Sequence, residues 1–265
     1  MKDILQEIAA NKRREISAMY PDKESRMRLE QLADWKSASS LSLSKKIKEL
    51  NAKGLPGIIA EFKRKSPSKG EISPCGDVVP TVAQYREGGA AGCSILTDTR
   101  YFGGALTDLA VARKTVDLPL LRKDFIIDPI QIDEAFLYGG NCVLLIASLL
   151  ERREIEEFTR LAHLRGLEVL LEIHDFKEVD KIIPEADMIG VNNRALSTFK
   201  TDINHSASFI DRLPADSVKI AESGINNNAD IRMLFETGYN GFLVGEALMR
   251  SSDPQQTLKN FIHAV

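Results

Sequence analysis

Cysteine is scarce in this 265-residue sequence, at three residues, Cys75, Cys93 and Cys142. The number is odd, and no CxxC or zinc-type spacing occurs. That argues against a disulfide framework and against a structural zinc site. Cys93 and Cys142 lie in apolar runs and read as small core residues. A reducing cytoplasm is the compartment that fits. Long apolar stretches are missing as well, since none reaches the roughly 18 residues of a membrane span. The N-terminus, MKDILQEIAANKRREI, is charged throughout, unlike a secretory signal. Charge of one sign is also lacking. Lys and Arg number 35 against 38 Asp and Glu, a net charge of −3. No overall basic field is available to nucleic acid or an anionic membrane. The phosphate-binding fingerprints GxGxxG and GxxxxGK[ST] are absent, no GxSxG nucleophile motif stands out, and the four histidines show no paired metal-ligand spacing.

What is present divides in two. The first fifty residues are charge-rich and net basic. Ile4, Leu5, Ile8 and Ala9, then Ile16 and Met19, follow a helical period. Pro21-Asp22 marks a stop or turn, and a second helical stretch runs near Leu43 to Leu50. The segment is expected to be a helical extension, residues 1–50, packed on the main body. Its mixed charges do not favour a nucleic-acid-binding arm.

After residue 55, short apolar runs recur every 20 to 35 residues. They are GIIAEF (57–62), CSILT (93–97), PLLRKDF (119–125), CVLLIAS (142–148), EVLLEI (168–173), MIGVNN (188–193), VKIAES (218–223) and GFLVG (241–245). Helical patterns separate most of them, and glycine often stands just before the next run, as helix C-caps do. Strands alternating with helices imply parallel pairing, and continuous apolar strands imply cover on both faces. Eight such units predict a single-domain α/β fold, a (β/α)8 TIM barrel. An open doubly wound sheet is the rival, and it usually has fewer strands.

These strands turn polar at their C-terminal ends. Glu61 and Lys63 are two apart, hence on one face. Lys123 is in phase with Leu121 and Phe125, the fifth strand ends at Glu172, and the sixth ends in Asn192 and Arg194. The seventh ends in Glu222-Ser223-Gly224 and the eighth in Gly245-Glu246. In a barrel all these ends converge on the mouth where active sites lie. Burying so many charges is costly unless they are paired or used. Backbone at Ser223-Gly224 and Gly245-Glu246 suits an anion, because barrels often bind phosphate after strands seven and eight. The loop Ser66-Pro67-Ser68-Lys69-Gly70 can add a hydroxyl and a charge. Arg122 and Asp124 should point outward and pair with helices. Asp98 reads as a helix cap, His174 as a hydrogen-bonding residue near the rim, and Phe102 and Phe125 as an apolar wall or core. The pattern suggests a phosphorylated small molecule handled by lysine and glutamate acid–base groups.

With these residues in place, the sequence resembles the indole-3-glycerol phosphate synthase family. The motifs are IIAEFKRKSPSKGEI, SILTDTRYFGG, LLRKDFIIDPIQI, LLEIH, IGVNNRAL, IAESGI and FLVGEALM, spread over nearly the whole chain. The N-terminal ILQEIAANKRREI looks like that family's extension, which folds over the barrel mouth. The resemblance implies closure of 1-(2-carboxyphenylamino)-1-deoxyribulose 5-phosphate to an indole, with loss of carbon dioxide and water and with no metal or organic cofactor. It implies that Lys123 is the general acid of ring closure and Glu172 a second acid–base group. Lys63 would lie near the substrate carboxylate and act in dehydration, and Glu61 would position it. Asn192, Arg194, Glu222 and Phe125 would bind substrate. Ser66, Ser223, Gly224, Gly245 and Glu246 would complete the substrate- and phosphate-binding set. Two residues depart from the family pattern. Lys65 stands where a small residue is usual and is expected to add charge at the mouth. Ala195 stands where aspartate is usual and is expected to loosen the following loop. The expected protein is monofunctional, a monomer or weak homodimer, with a small-molecule substrate and no nucleic-acid or membrane partner.

Three alternatives share this pattern. A Schiff-base aldolase would use Lys123 or Lys63 with a lowered pKa. A phosphate-sugar isomerase such as phosphoribosylanthranilate isomerase would share the fold. A non-enzymatic barrel would keep the pocket without turnover.

Overall fold

The computed structural model describes residues 4–34, 36–67, 70–72, 76–195 and 200–265. Ser68, Lys69 and Cys75 lie outside the described residues. Eight strands close into a barrel: β1 (Gly57–Phe62), β2 (Gly92–Leu96), β3 (Leu120–Lys123), β4 (Cys142–Ile146), β5 (Glu168–Ile173), β6 (Met188–Asn192), β7 (Val218–Glu222) and β8 (Gly241–Val244). Each pairs in parallel with the next, and β8 returns to β1 with Gly57 opposite Gly241. This is the predicted TIM barrel, with strand ends within a residue or two of the apolar runs. A small hairpin, Lys65–Ser66 against Gly70–Glu71, follows β1.

The strands are apolar on both faces because both faces are covered. Inside the barrel, Ile59, Leu121, Leu144, Leu170, Ile220 and Leu243 fill the centre. Outside, Ile58, Phe62, Ile95, Val143, Val169 and Phe242 face the helices. Those helices are α4 (Val78–Glu87), α5 (Thr99–Phe102), α6 (Leu106–Thr115), α7 (Ile130–Leu137), α8 (Arg152–Leu164), α9 (Asn204–Phe209), α10 (Asn228–Glu236), α11 (Glu246–Met249) and α12 (Pro254–Ile262). After β5 the connection is a 3-10 helix, Phe176–Lys181, instead of a full α-helix. Cys93 and Cys142 are buried, as expected. No helix among the described residues is long and apolar enough to cross a membrane.

Three helices precede the barrel: α1 (Ile4–Met19), α2 (Lys23–Asp34) and α3 (Leu43–Asn51). They meet the barrel at three different places. Helix α3 plugs its N-terminal end, where Leu43 and Ile47 are fully buried. A Cβ on Gly57 would meet Ile47 at 2.7 Å, and one on Gly92 would meet Leu43 at 2.7 Å. Burying each aliphatic side chain contributes about 1.5–3 kcal/mol. The Glu168 carboxylate accepts from the Ser42 and Ser44 hydroxyls and the Leu43 N–H, tying the plug to β5. Helix α2 runs along the wall against α7, with Arg26 gripping Asp128 at 3.0 Å. Helix α1 crosses the opposite end, where Ile4, Leu5 and Ile8 line the mouth.

Two expectations for this segment need correction. Met19, in phase with the apolar stripe of α1, is 60 % exposed. It is the last residue of the helix, just before the Pro21 turn, and lies past the surface that Ile16 covers. Helix α2 was not anticipated. Ala33 is its only buried residue, so no hydrophobic period marks it.

Candidate active site

A cavity of about 290 Å³ opens at the C-terminal ends of the strands. The residues that the resemblance assigns to catalysis and substrate binding all line it. Glu61 and Lys63 come from the end of β1, Lys123 and Phe125 from β3, Glu172 from β5, and Asn192 and Arg194 from β6. Glu222, Ser223 and Gly224 come from β7, Gly245 and Glu246 from β8, and Ser66 from the hairpin after β1. Strand register brings these groups together, with Asn192 opposite Glu222 and Glu172 opposite Gly190.

The floor is a set of buried charges. Lys63 Nζ lies 2.5 Å from Glu61 Oε1. Lys123 Nζ lies 3.3 Å from Glu172 Oε2 and 3.5 Å from Glu222 Oε2. Two glycines give these carboxylates room. A Cβ on Gly245 would meet Glu61 Oε1 at 2.3 Å, and one on Gly190 would meet Glu222 Oε1 at 2.3 Å. Burial works to lower the Lys123 pKa, but Glu172, Glu222 and Glu61 outweigh it and raise it above the ordinary value. Burial likewise works to raise Glu61, and Lys63 and Lys123 reverse it, leaving that carboxyl below its usual range. Glu172 and Glu222 are pushed apart. Against the cost of burial, Lys123 and His174 hold Glu172 ionised, while burial and the Glu172 charge push Glu222 well upward. The two carboxyls titrate as a coupled pair, with Glu172 the more acidic side.

The walls are of two kinds. Phe102 and Phe125, with ring centroids 6.0 Å apart, and Leu5 and Ile8 of α1 give an apolar side. Opposite, Ser223 takes φ 68° and Gly224 φ 75°, and Ser223 is the one non-glycine in this left-handed region among the described residues. Such strain concentrates at binding sites. The Glu246 carboxylate turns to Arg250, at 3.1 Å.

Of the residues flanking Lys123 on β3, Arg122 points outward as expected, whereas Asp124, expected to do the same, lines the cavity. Arg122 pairs with Asp124 at 3.1 Å and with Glu134 of α7 at 2.8 Å. Asp98 caps α5 by accepting from the Tyr101 N–H at 2.7 Å. The sequence reading missed Lys12. It is only 5 % exposed and reaches Asp98 at 3.1 Å and Asp124 at 3.0 Å, bolting α1 to the ends of β2 and β3. A signal was there, since Lys12 interrupts the apolar stripe of Leu5, Ile8 and Ile16. Of the two departures, Lys65 does not line the cavity, and its ammonium donates to the Arg100 carbonyl at 2.7 Å. The Ala195 N–H donates to the Lys200 carbonyl at 2.9 Å, so the backbone there is tied.

A family model described as indole-3-glycerol phosphate synthase matches residues 5–261. The chain belongs to the indole-3-glycerol phosphate synthase family. A synthase of that name from Bacteroides thetaiotaomicron is 44 % identical over 265 residues, covering 100 % of both chains. One from Carboxydothermus hydrogenoformans is 44 % identical over 221 residues, covering 83 % of this chain and 84 % of that one. Indole-3-glycerol phosphate synthases are carbon–carbon lyases of tryptophan biosynthesis, and this chain is one of them by descent. More distant solved structures share the barrel alone. A 3-hexulose-6-phosphate synthase aligns with TM-score 0.64 at 14 % identity, over 79 % of this chain and 99 % of that one. A thiamine phosphate pyrophosphorylase from Pyrococcus furiosus aligns with TM-score 0.60 at 16 % identity, over 84 % and 97 %.

Proposed function

We propose that the buried lysine–glutamate cluster closes the indole ring of 1-(2-carboxyphenylamino)-1-deoxyribulose 5-phosphate, with Lys123 as the general acid. The observation that carries this is the Lys123 ammonium, placed 3.3 Å from Glu172 and 3.5 Å from Glu222 at the floor of the cavity. The ring carbon bearing the carboxylate attacks the ketone carbon, and the carbonyl electrons move to oxygen. An ammonium aimed at that oxygen stabilises the charge as it develops and supplies the proton. An alkoxide is more basic than an amine, so a raised lysine pKa does not prevent the transfer. The bond to the carboxylate then breaks, its electrons return to the ring, and carbon dioxide leaves.

Dehydration needs an acid at the hydroxyl and a base for a ring proton. We assign the acid to Lys63, held by Glu61, and the base to Glu172, which takes the proton from the carbon beside nitrogen. Two protons are given and one is taken, so one solvent proton resets the site in each turnover. Asn192, Arg194 and Glu222 orient the substrate, and Phe125 faces its aromatic ring. Ser66, Ser223 and the backbone at Gly224, Gly245 and Glu246 take the anionic end. The free, buried thiols Cys93 and Cys142 favour a reducing cytoplasm as the setting.

The Schiff-base alternative would need a lysine with a lowered pKa, and Lys123 is shifted the other way. Replacing Lys123 by Ala tests the assignment. The reading expects kcat to fall roughly 10²-fold or more while substrate still binds. Near-normal turnover in that variant would remove Lys123 from the role.

A further inference from the structure

One cavity residue has no part in the chemistry above. His174 follows the end of β5, lines the cavity, and its side chain is 5 % exposed. Its Nε2 lies 2.9 Å from Glu172 Oε1, while Lys123 approaches the other oxygen, Oε2, at 3.3 Å. The two oxygens of Glu172 are thus divided between an imidazole and an ammonium. The imidazole contact is short but off the line of a regular hydrogen bond. Such contacts tighten when substrate binds.

The ring is held from behind. Its Nδ1 lies 3.5 Å from the Ser148 hydroxyl and 3.9 Å from Glu178 Oε2. Ser148 donates to Glu178 Oε1, and the His174 backbone N–H donates to Glu178 Oε2 at 2.6 Å. His205 Nε2 meets the His174 carbonyl at 2.9 Å. Backbone and ring are therefore fixed by groups from the loop after β4, the 3-10 helix and α9. The apolar residues of β5 pack into the core separately from this arrangement.

We propose that His174 is a positioning residue that fixes the Glu172 carboxylate through Oε1, so that Oε2 is presented to Lys123 and to the proton it must take. The inference rests on the assignment of Glu172 as the base of the dehydration. It gives Ser148 and Glu178 a purpose one step further out, that of orienting the imidazole. Holding a reacting group within a fraction of an ångström matters because a 1 Å misplacement can cost about 10²-fold in rate.

Two amide substitutions separate this role from a structural one. In His174→Gln the side-chain amide can occupy the place of Nε2 and donate to Glu172. In His174→Asn the amide can occupy the place of Nδ1 and keep the contacts to Ser148 and Glu178 only. Both are assayed with the wild type on the same substrate for kcat, KM and thermal unfolding. The expected result is a kcat roughly 10- to 10²-fold lower in His174→Asn, with KM within about twofold, and most of kcat restored in His174→Gln. Asparagine restoring activity better than glutamine would overturn the proposal and make the outer contacts the ones that matter. Wild-type kcat in both variants would overturn it as well, as would losses of kcat that merely follow losses of Tm. A wild type that does not turn over this substrate would instead refute the ring-closure reading on which the proposal rests.

Discussion

Replacing Lys12 by Met keeps the length of the side chain and removes its charge. The ammonium lies 3.1 Å from Asp98 and 3.0 Å from Asp124, and both carboxylates are buried. Removing one partner of a buried ion pair costs roughly 3–5 kcal/mol, because the other charge is left uncompensated. Arg122 at 3.1 Å and the Thr97 hydroxyl at 2.6 Å still hold Asp124, and the Tyr101 N–H still holds Asp98. That places the loss near the lower end, about 3 kcal/mol. In a chain of this size each kcal/mol moves Tm by roughly 2–4 °C, so a drop of about 6–12 °C is expected by circular dichroism. Leu5 and Ile8 belong to the cavity wall, so KM should rise too. Limited proteolysis should cut α1 at Arg13 or Arg14 sooner than in the wild type. Adding Asp98→Asn to the Met variant should recover part of the loss, because Asp98 has lost its cation and asparagine can still cap α5. A Lys12→Met protein with Tm within about 1 °C of wild type, unchanged KM and an equally resistant α1 would refute the bolt.

The same network sets an acid limit. Despite its burial, Asp124 is held down by Lys12 and Arg122 to a pKa of about 2, against an ordinary 3.8. Its folded-state pKa is depressed, so its stabilisation is present above about pH 4 and is lost as pH falls toward 2. The contribution is roughly 2 kcal/mol. Burial raises Asp98 and acts in the opposite sense, so the observed slope should be shallower than Asp124 alone would give. Asp124→Asn should flatten it, and an unchanged acid transition in that variant would contradict the assignment. Gly245→Ala should displace the Glu61–Lys63 pair, since the new Cβ would sit 2.3 Å from Glu61 Oε1, and should lower kcat more than Tm. A Gly245→Ala enzyme with normal kcat would mean that the pair need not lie where it does. Ser223→Gly relieves a left-handed backbone at φ 68°, strain of about 1–2 kcal/mol offset by about 0.4–1 kcal/mol of unfolded-chain entropy, and should raise stability slightly while raising KM for the phosphorylated substrate. A lower Tm would show that the hydroxyl stabilises more than the strain costs.

The barrel was readable because its eight strands are buried on both faces and so appear as uninterrupted apolar runs. The site was readable for the complementary reason. Glu61, Lys63, Lys123, Glu172, Arg194 and Glu222 are polar exceptions at the ends of those runs, and strand period assigns them to the interior. Helix α2 left no trace because it leans on α7 through pairs such as Arg26–Asp128 and buries almost nothing apolar. Lys12 was hidden for a related reason. A charge on the apolar face of a helix looks like a flaw in the pattern until its partners, more than 80 residues away in sequence, are brought beside it. Contacts of that range follow from closing the barrel and not from any local period. His174 was visible as a residue near the rim, but its alignment with one particular oxygen of Glu172 could come only from the packed strand ends.

The most direct test of the central claim mixes the purified protein with 1-(2-carboxyphenylamino)-1-deoxyribulose 5-phosphate and follows indole fluorescence. A rising signal is expected in the wild type and a nearly flat one in Lys123→Ala, with both proteins folded and both binding the substrate. A flat trace from folded wild-type protein that binds the substrate would mean that the Lys123–Glu172–Glu222 cluster does not close the ring, and would contradict the account.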